Sequence, residues 1–261
     1  MVNQKEIERG LRALGLDQAH VLVHSSFKAV GGVEGGPLTV VRALVETAST
    51  LMMPAFTWER TGVWDAGGLI EGNAYPTEPP VDAALVPFAH DVSIDNEIGV
   101  IAETFRTAYP VHRSSHPLQS FIAHGELAEA LVTGGDKSCT APIQRLMDAD
   151  GDVLLIGVTH AASTAVHLAE ELAGRRLFVR HGLTESGAKA AVCGGCSDAF
   201  DGLQPHVAHL EQRTVVGKAT LWRYRLRPYV EAARELIERD PNALLCGCER
   251  CQATYKHQVS V

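Results

Sequence analysis

The chain has 261 residues, 46% hydrophobic and 21% charged, a composition that excludes wholesale disorder and leaves room for one large domain or two modest ones. Its 23 Lys and Arg against 31 Asp and Glu give a net charge of −8 with His neutral. That balance argues against a nucleic-acid polyanion as the main partner and suits a cationic ligand.

Residues 1–18 read as an amphipathic helix, and no long apolar run with a cleavage site follows, so neither a secretory signal nor a membrane association is expected. Short apolar runs follow at Val21–Val23, Leu51–Met53, Val153–Val158 and Leu177–Val179, each bounded by polar or Gly/Pro residues. Such runs mark strands buried on both faces of a largely parallel sheet. Between them, helical spacing of apolar residues predicts helices over Thr39–Thr50, Ile98–Ala108, Glu126–Val132 and Ala162–Leu172. Alternating strands and helices predict an α/β fold, three layers deep with a largely parallel or mixed central sheet. Residues 59–97, rich in Gly, Pro and acids, break the rhythm as a long insert of the kind that forms lids and binding loops. The expected division is a core over 1–183 that includes this insert. A smaller cysteine-bearing extension over 184–261, ending in a helix at Pro228–Asp240, packs on that core.

Four groups of residues can carry chemistry. HSSFKAVGGVEGG (24–36) sits between a strand and a helix; Ser25, Ser26 and the Gly31–Gly32 turn can present N–H groups to an anion, with Lys28 nearby. It is neither a P-loop nor a GxGxxG fingerprint, and a plain glycine turn is the equal alternative. VHRSSHPLQSFIAHG (111–125) gathers Arg113, Ser114 and His116 ahead of an apolar stretch. Pro117 keeps His112 and His116 off one helix, which disfavours a metal pair and favours hydrogen-bonded structural histidines. GVTHAASTAVHLAEELA (157–173) follows the strand VLLIG and puts Thr164, His167 and Glu170 on one helix face. A carboxylate beside an imidazole fixes its tautomer for general-base work, and a hydroxyl one turn earlier can donate to an oxyanion. An ordinary surface His–Glu pair is the competing reading. Finally, CGGC (Cys193, Cys196) and CGCERC (Cys246, Cys248, Cys251) have ligand-like spacing for a structural zinc; reduced thiols serving as small hydrophobes are the alternative. With six cysteines in so long a chain, cytoplasmic reduced or metal-bound thiols are expected rather than a disulfide framework.

The order HSS with a Gly-rich turn, LMMPAFTW, a Pro- and acid-containing insert, IGVIAETFR, HRSSHPLQSFIAHG and the TxxHLAE helix resembles the aminoglycoside 3-N-acetyltransferase family over residues 20–180. The resemblance implies acetyl transfer from acetyl-CoA to an amine of a small cationic aminoglycoside by a cytoplasmic monomer or homodimer. It implies that His167 is the base, Glu170 its orienter and Thr164 the oxyanion donor. Ser25, Ser26, Lys28, Gly31 and Gly32 would contact the coenzyme, and Arg113, Ser114 and His116 would shape its acyl end. Asp82, together with Asp65 and Glu78 of the insert, would bind the amino sugar. The insert and the cysteine tail depart from the resistance enzymes of the family, so the reaction class is better defined than the substrate. Two other classes compete: a metal-dependent amidohydrolase using His24, His112, His116, His167 and Glu170, and a non-catalytic binder of a cationic molecule.

Overall fold

The computed structural model describes residues 1–65, 75–76, 78–81, 84–134, 138–175 and 178–247. Its helices are α1 (Gln4–Ala13), α2 (Phe27–Val30), α3 (Pro37–Thr47), α4 (Trp58–Thr61), α5 (Val100–Ala108), α6 (Ala128–Val132), α7 (Ala141–Asp148), α8 (Ala165–Leu172), α9 (Gln204–Val207) and α10 (Leu226–Arg239). Its strands are β1 (His20–Ser25), β2 (Thr50–Pro54), β3 (Trp64–Asp65), β4 (His112–Arg113), β5 (Phe121–Gly125), β6 (Asp152–Ile156), β7 (Phe178–Thr184), β8 (Gly187–Cys193), β9 (Gln212–Val216) and β10 (Ala219–Arg225).

The apolar runs dictate the layers. In β1, β2 and β6 successive residues alternate between two cores. Val21, Val23, Leu51, Met53, Leu154 and Ile156 meet residues of α1, α3 and α5, among them Leu11, Leu44 and Phe105. Leu22, Met52, Val153 and Leu155 point the other way, toward Leu131 of α6, Leu146 of α7, Val166 of α8 and Tyr229 of α10. Strands whose two faces are both apolar must be covered on both, and the result is helix, sheet, helix. Each such side chain, fully buried, contributes about 1.5–3 kcal/mol.

The central sheet has seven strands in the order β4-β5-β2-β1-β6-β10-β9. Only β1 with β2 and β1 with β6 are parallel; the remaining pairs are antiparallel. The sheet is therefore mixed, with its parallel part at the centre. β3, β7 and β8 form a second, antiparallel sheet. Phe178–Val179 of the fourth apolar run belong to that small sheet, where burial alternates along β7; Leu177 lies outside the described residues.

The division at residue 183 does not follow the structure. It cuts the β7–β8 hairpin, in which Thr184 pairs with Gly187. Residues from 212 on are part of the core, since β10 lies against β6 and α10 covers one face of the sheet. The helix predicted to run to Thr50 stops at Thr47, because Thr50 already belongs to β2 and pairs with His20 of β1. No helix among the described residues is long and apolar enough to cross a membrane.

Asp152 at the start of β6 fastens the two parts. Its fully buried carboxylate accepts hydrogen bonds from Arg223 Nε at 2.9 Å and Arg225 Nη1 at 3.3 Å, both on β10. Burial pushes its pKa up, against the pull of the two arginines. The pair therefore adds little net stability, yet removing one partner strands buried charge. Asp152→Ala is expected to lower the unfolding free energy by about 3–5 kcal/mol, measured by urea denaturation.

Candidate active site

The carboxyl ends of β1, β2 and β6 open into a cavity of about 390 Å³, the position where open α/β sheets bind ligands. Its walls include His24 and Ser25 from β1, Met53 and Pro54 from β2, and Ala161–Thr164 after β6. His167 of α8, Phe56, Trp58, Tyr75, Glu97, Gln119, Gly195 and Ser197 complete much of the lining.

His167 and Glu170 are 5% and 4% exposed, which rules out a surface ion pair. His167 Nδ1 lies 2.6 Å from Glu170 Oε2. The other carboxylate oxygen, Oε1, accepts from buried Arg175 Nη1 at 2.7 Å. Arg175 Nη2 in turn donates to the carbonyls of Pro241 and Ala243 at 2.9 and 2.7 Å. A carboxylate at Nδ1 places the proton there and turns the basic Nε2 lone pair elsewhere. Phe200 meets the ring edge-on at 5.0 Å between centroids.

Gly157, with φ of 63°, makes the sharp exit from β6, and a single 3-10 turn at His160–Ala162 follows before α8. Thr164 occupies the N-cap position without capping the helix. Its N–H and hydroxyl lie 3.4 and 3.3 Å from His24 Nε2 instead. Because His24 accepts from the Thr164 N–H, its own proton sits on Nδ1. Burial, aided by the nearby His167, drives the His24 pKa down to about 3, so the ring is neutral at physiological pH. His160 anchors the same loop: Nδ1 pairs with Tyr229 Oη at 2.9 Å and Nε2 with Gln204 Oε1 at 2.6 Å.

The aminoglycoside 3-N-acetyltransferase family profile matches residues 22–238. The chain belongs to that family. Aminoglycoside N(3)-acetyltransferase III of Acinetobacter baumannii is 34% identical over 183 residues, 66% of this chain and 62% of that protein. Aminoglycoside N(3)-acetyltransferase IV of Salmonella sp is 35% identical over 160 residues, 59% of this chain and 52% of that protein. The chain thus spans between about half and two thirds of the length of these curated relatives. The crystal structure of aminoglycoside acetyltransferase AAC(3)-IVa superposes with a TM-score of 0.81 at 29% identity, covering 98% of both chains. A histidine-to-alanine variant of that enzyme, in complex with gentamicin, gives 0.80 at 28% identity, with 98% of this chain and 97% of that chain covered.

The fold brings Thr164, His167, Glu170 and Ser25 together and places the other family-implied residues elsewhere. Ser26 caps α2, accepting from the Ala29 N–H at 3.3 Å. Lys28 is exposed, Gly31 packs on the Lys218 side chain and Gly32 on Met1; none of these lines the cavity. Arg113 is a buried clamp. It donates to Ser120 Oγ at 3.0 Å and to the carbonyls of His90, Val92 and Ala55. Burial pulls its pKa down to about 10. Ser114 Oγ accepts from the Phe121 N–H at 2.9 Å. His116 Nδ1 accepts from the N–H groups of Leu118 and Gln119, and Nε2 faces the Val192 carbonyl at 2.9 Å. These three residues order the loop that presents Gln119, whose Oε1 accepts from the Gly194 N–H at 2.8 Å. Asp65 is buried in β3, Glu78 is exposed away from the lining, and Asp82 lies outside the described residues. Glu97 is the described acid on the cavity wall.

The histidines of the amidohydrolase reading are not gathered, since His112 is exposed on β4 and both His116 nitrogens face backbone. Cys193 is not part of the described group in which Cys196 lies within 4.8 Å of other ligand atoms. It is fully buried at the end of β8, its thiol facing the Ala191 carbonyl at 3.7 Å, and burial pushes its pKa up to about 12. Cys248 and Cys251 lie outside the described residues.

Sequence reading passed over His160, Gln119, Arg175 and Gly194. A Cβ on Gly194 would sit 2.4 Å from His167 Cδ2, closer than side chains tolerate. Gly194→Ala is expected to dislodge the imidazole and abolish the downfield proton resonance of a hydrogen bond between His167 and Glu170.

A second expectation concerns pH. The unfolded chain protonates His24 near the usual 6.5, the folded chain only near 3. Its contribution is intact above pH 6.5 and is lost as pH falls toward 3. Between pH 4 and 6 this group adds a slope of about 1.4 kcal/mol per pH unit to the unfolding free energy. His24→Asn is expected to flatten the measured slope by that amount.

Proposed function

We propose that this chain is an acetyl-CoA-dependent N-acetyltransferase that acetylates an aminoglycoside amine by direct transfer, with His167 as general base and Glu170 as its partner. The observation that carries the reading is the buried imidazole–carboxylate pair on the cavity wall, with Nδ1 held at 2.6 Å by Glu170 and Nε2 free of hydrogen-bond partners among the described residues.

When bound, the coenzyme supplies an acetyl thioester. The acceptor amine attacks as its free base, and His167 Nε2 accepts the proton that its nitrogen must lose as it bonds to the thioester carbon. Glu170 holds the Nδ1–H throughout and balances the imidazolium that forms. Arg175 on the far carboxylate oxygen keeps Glu170 from turning away. The Thr164 hydroxyl, next to His24 Nε2 in the free protein, turns its proton toward the carbonyl oxygen as negative charge develops there. As the C–N bond forms and the C–S bond breaks, the proton on Nε2 passes to the departing thiolate. Direct transfer needs no protein nucleophile, and none is assigned.

An aminoglycoside acceptor is supported by the family, by the −8 charge and by Glu97 on the wall. The related AAC(3)-IVa variant was crystallised with gentamicin.

The test mixes purified protein with acetyl-CoA and kanamycin, gentamicin, neomycin or simple polyamines, and follows thiol release. Release dependent on the deoxystreptamine drugs is expected. His167→Ala is expected to lower kcat by about 10²–10⁴-fold while leaving coenzyme affinity unchanged, and Glu170→Gln to cost less. Wild-type turnover in His167→Ala would remove it as the base. Thr164→Val is expected to reduce kcat by roughly 10–100-fold with little change in KM.

A further inference from the structure

We propose that Cys196, Asp198 and Cys246 form a binding site for a thiophilic divalent cation of the zinc class, one that ties two loops together behind the His167–Glu170 pair. One ligand atom from each residue lies within 4.8 Å of the other two. Tetrahedral zinc with Zn–S bonds of about 2.3 Å sets its ligands about 3.8 Å apart, so the cluster needs only a small contraction around an ion. The donor set suits zinc: two soft thiolates select against magnesium and calcium, and one carboxylate is a common companion ligand.

The residues come from distant parts of the chain. Cys196 and Asp198 sit in the loop after β8, and Cys246 follows α10, 48 residues beyond Asp198. Cys196 and Cys246 pack beside Phe178, one half-buried and the other buried. Plain apolar packing explains two thiols against an aromatic ring. The exposed Asp198 carboxylate takes no part in that packing, yet it too comes within ligand distance of both sulfurs, which completes a mixed thiolate–carboxylate donor set. Cys193, the nearest alternative thiol, is excluded by position: its sulfur faces the Ala191 carbonyl and it is not part of the cluster. The site proposed consists of the three described residues.

The two loops that a metal would join are those that hold the catalytic pair. Gly194, two residues before Cys196, lies flat against the His167 ring. Pro241 and Ala243, shortly before Cys246, accept hydrogen bonds from Arg175, which holds Glu170. A cation at this point would fix the spacing between the segment touching the base and the segment touching its partner. Its role is structural positioning, since none of its ligands lines the cavity.

The test uses the full chain, purified without chelator and separately reconstituted with excess zinc and desalted. Metal content is read by elemental mass spectrometry. About one zinc per chain is expected, with most of it lost in Cys196→Ser and in Cys246→Ser and full retention in Cys193→Ser. Cobalt substitution is expected to give a near-ultraviolet thiolate-to-cobalt charge-transfer band and the strong visible bands of tetrahedral cobalt. Asp198→Asn is expected to keep the charge-transfer band but release metal more readily to a chelator. Should the serine variants fail to fold, Cys246→His, which keeps a ligand, is expected to restore both circular dichroism and metal. None of these readouts depends on acetyl transfer, so a failed activity assay leaves them intact. Absence of metal after reconstitution, or zinc retained undiminished in both folded serine variants, would overturn the site.

Discussion

A carboxylate with no access to water needs a partner on each oxygen, and Glu170 has one on each: an imidazole on one side and a guanidinium on the other. Much of the surrounding architecture follows from keeping that three-residue chain in place. Arg175 is buried with Glu170, and the carbonyls of Pro241 and Ala243 accept from its Nη2, while its Nε–H has no acceptor among the described residues. Those bonds fold the segment after α10 back against α8. His167 must be gripped on its other face, and Gly194 permits contact that no larger residue would. Gly194 is held in turn by Gln119, and Gln119 by the His116 turn. Segments more than a hundred residues apart in sequence thus converge on one side chain.

Wherever local chemistry alone decides the outcome, the sequence was legible. The Val, Leu and Met runs of β1, β2 and β6 are apolar at every position because helices cover both faces, and such runs can be recognised without any tertiary knowledge. The His167–Glu170 pair was legible because i and i+3 share a helix face whatever surrounds the helix. Edge elements were less visible. β9 and β10 carry Arg, Gln and Thr among their apolar residues, since one is an edge strand and the other binds Asp152 through its arginines. Their place beside β6 is a long-range fact with no local signature, and so the C-terminal third read as an addition to the core.

Arg113, Ser114 and His116 show a different limit. Residue type and family order pointed to them as pocket residues, but a motif cannot say which way a polar atom faces. The fold turns their polar atoms inward to satisfy backbone groups of irregular loops, which lack the regular ladders of helices and sheets. Arg175 shows the converse. Nothing local marks it, because its importance comes from Glu170 and two carbonyls that only the folded chain brings near.

The placement of Arg180 has a consequence for what the cavity can attract. Its guanidinium lies over the rings of Trp58, Tyr75 and Phe178, at 4.5–5.1 Å from their centroids. Trp58 and Tyr75 also line the cavity, so a resident cation already sits on faces that an incoming one could use. Arg113 is occupied by carbonyls, Arg175 is balanced by Glu170, and His24 is neutral. Of these side chains Arg175 is paired with a carboxylate and His24 is uncharged, while Arg113 and Arg180 keep their charge against carbonyls and rings. The aromatic part of the wall is thus already occupied by a guanidinium, and the negative charge that the described lining offers to a ligand is the exposed carboxylate of Glu97.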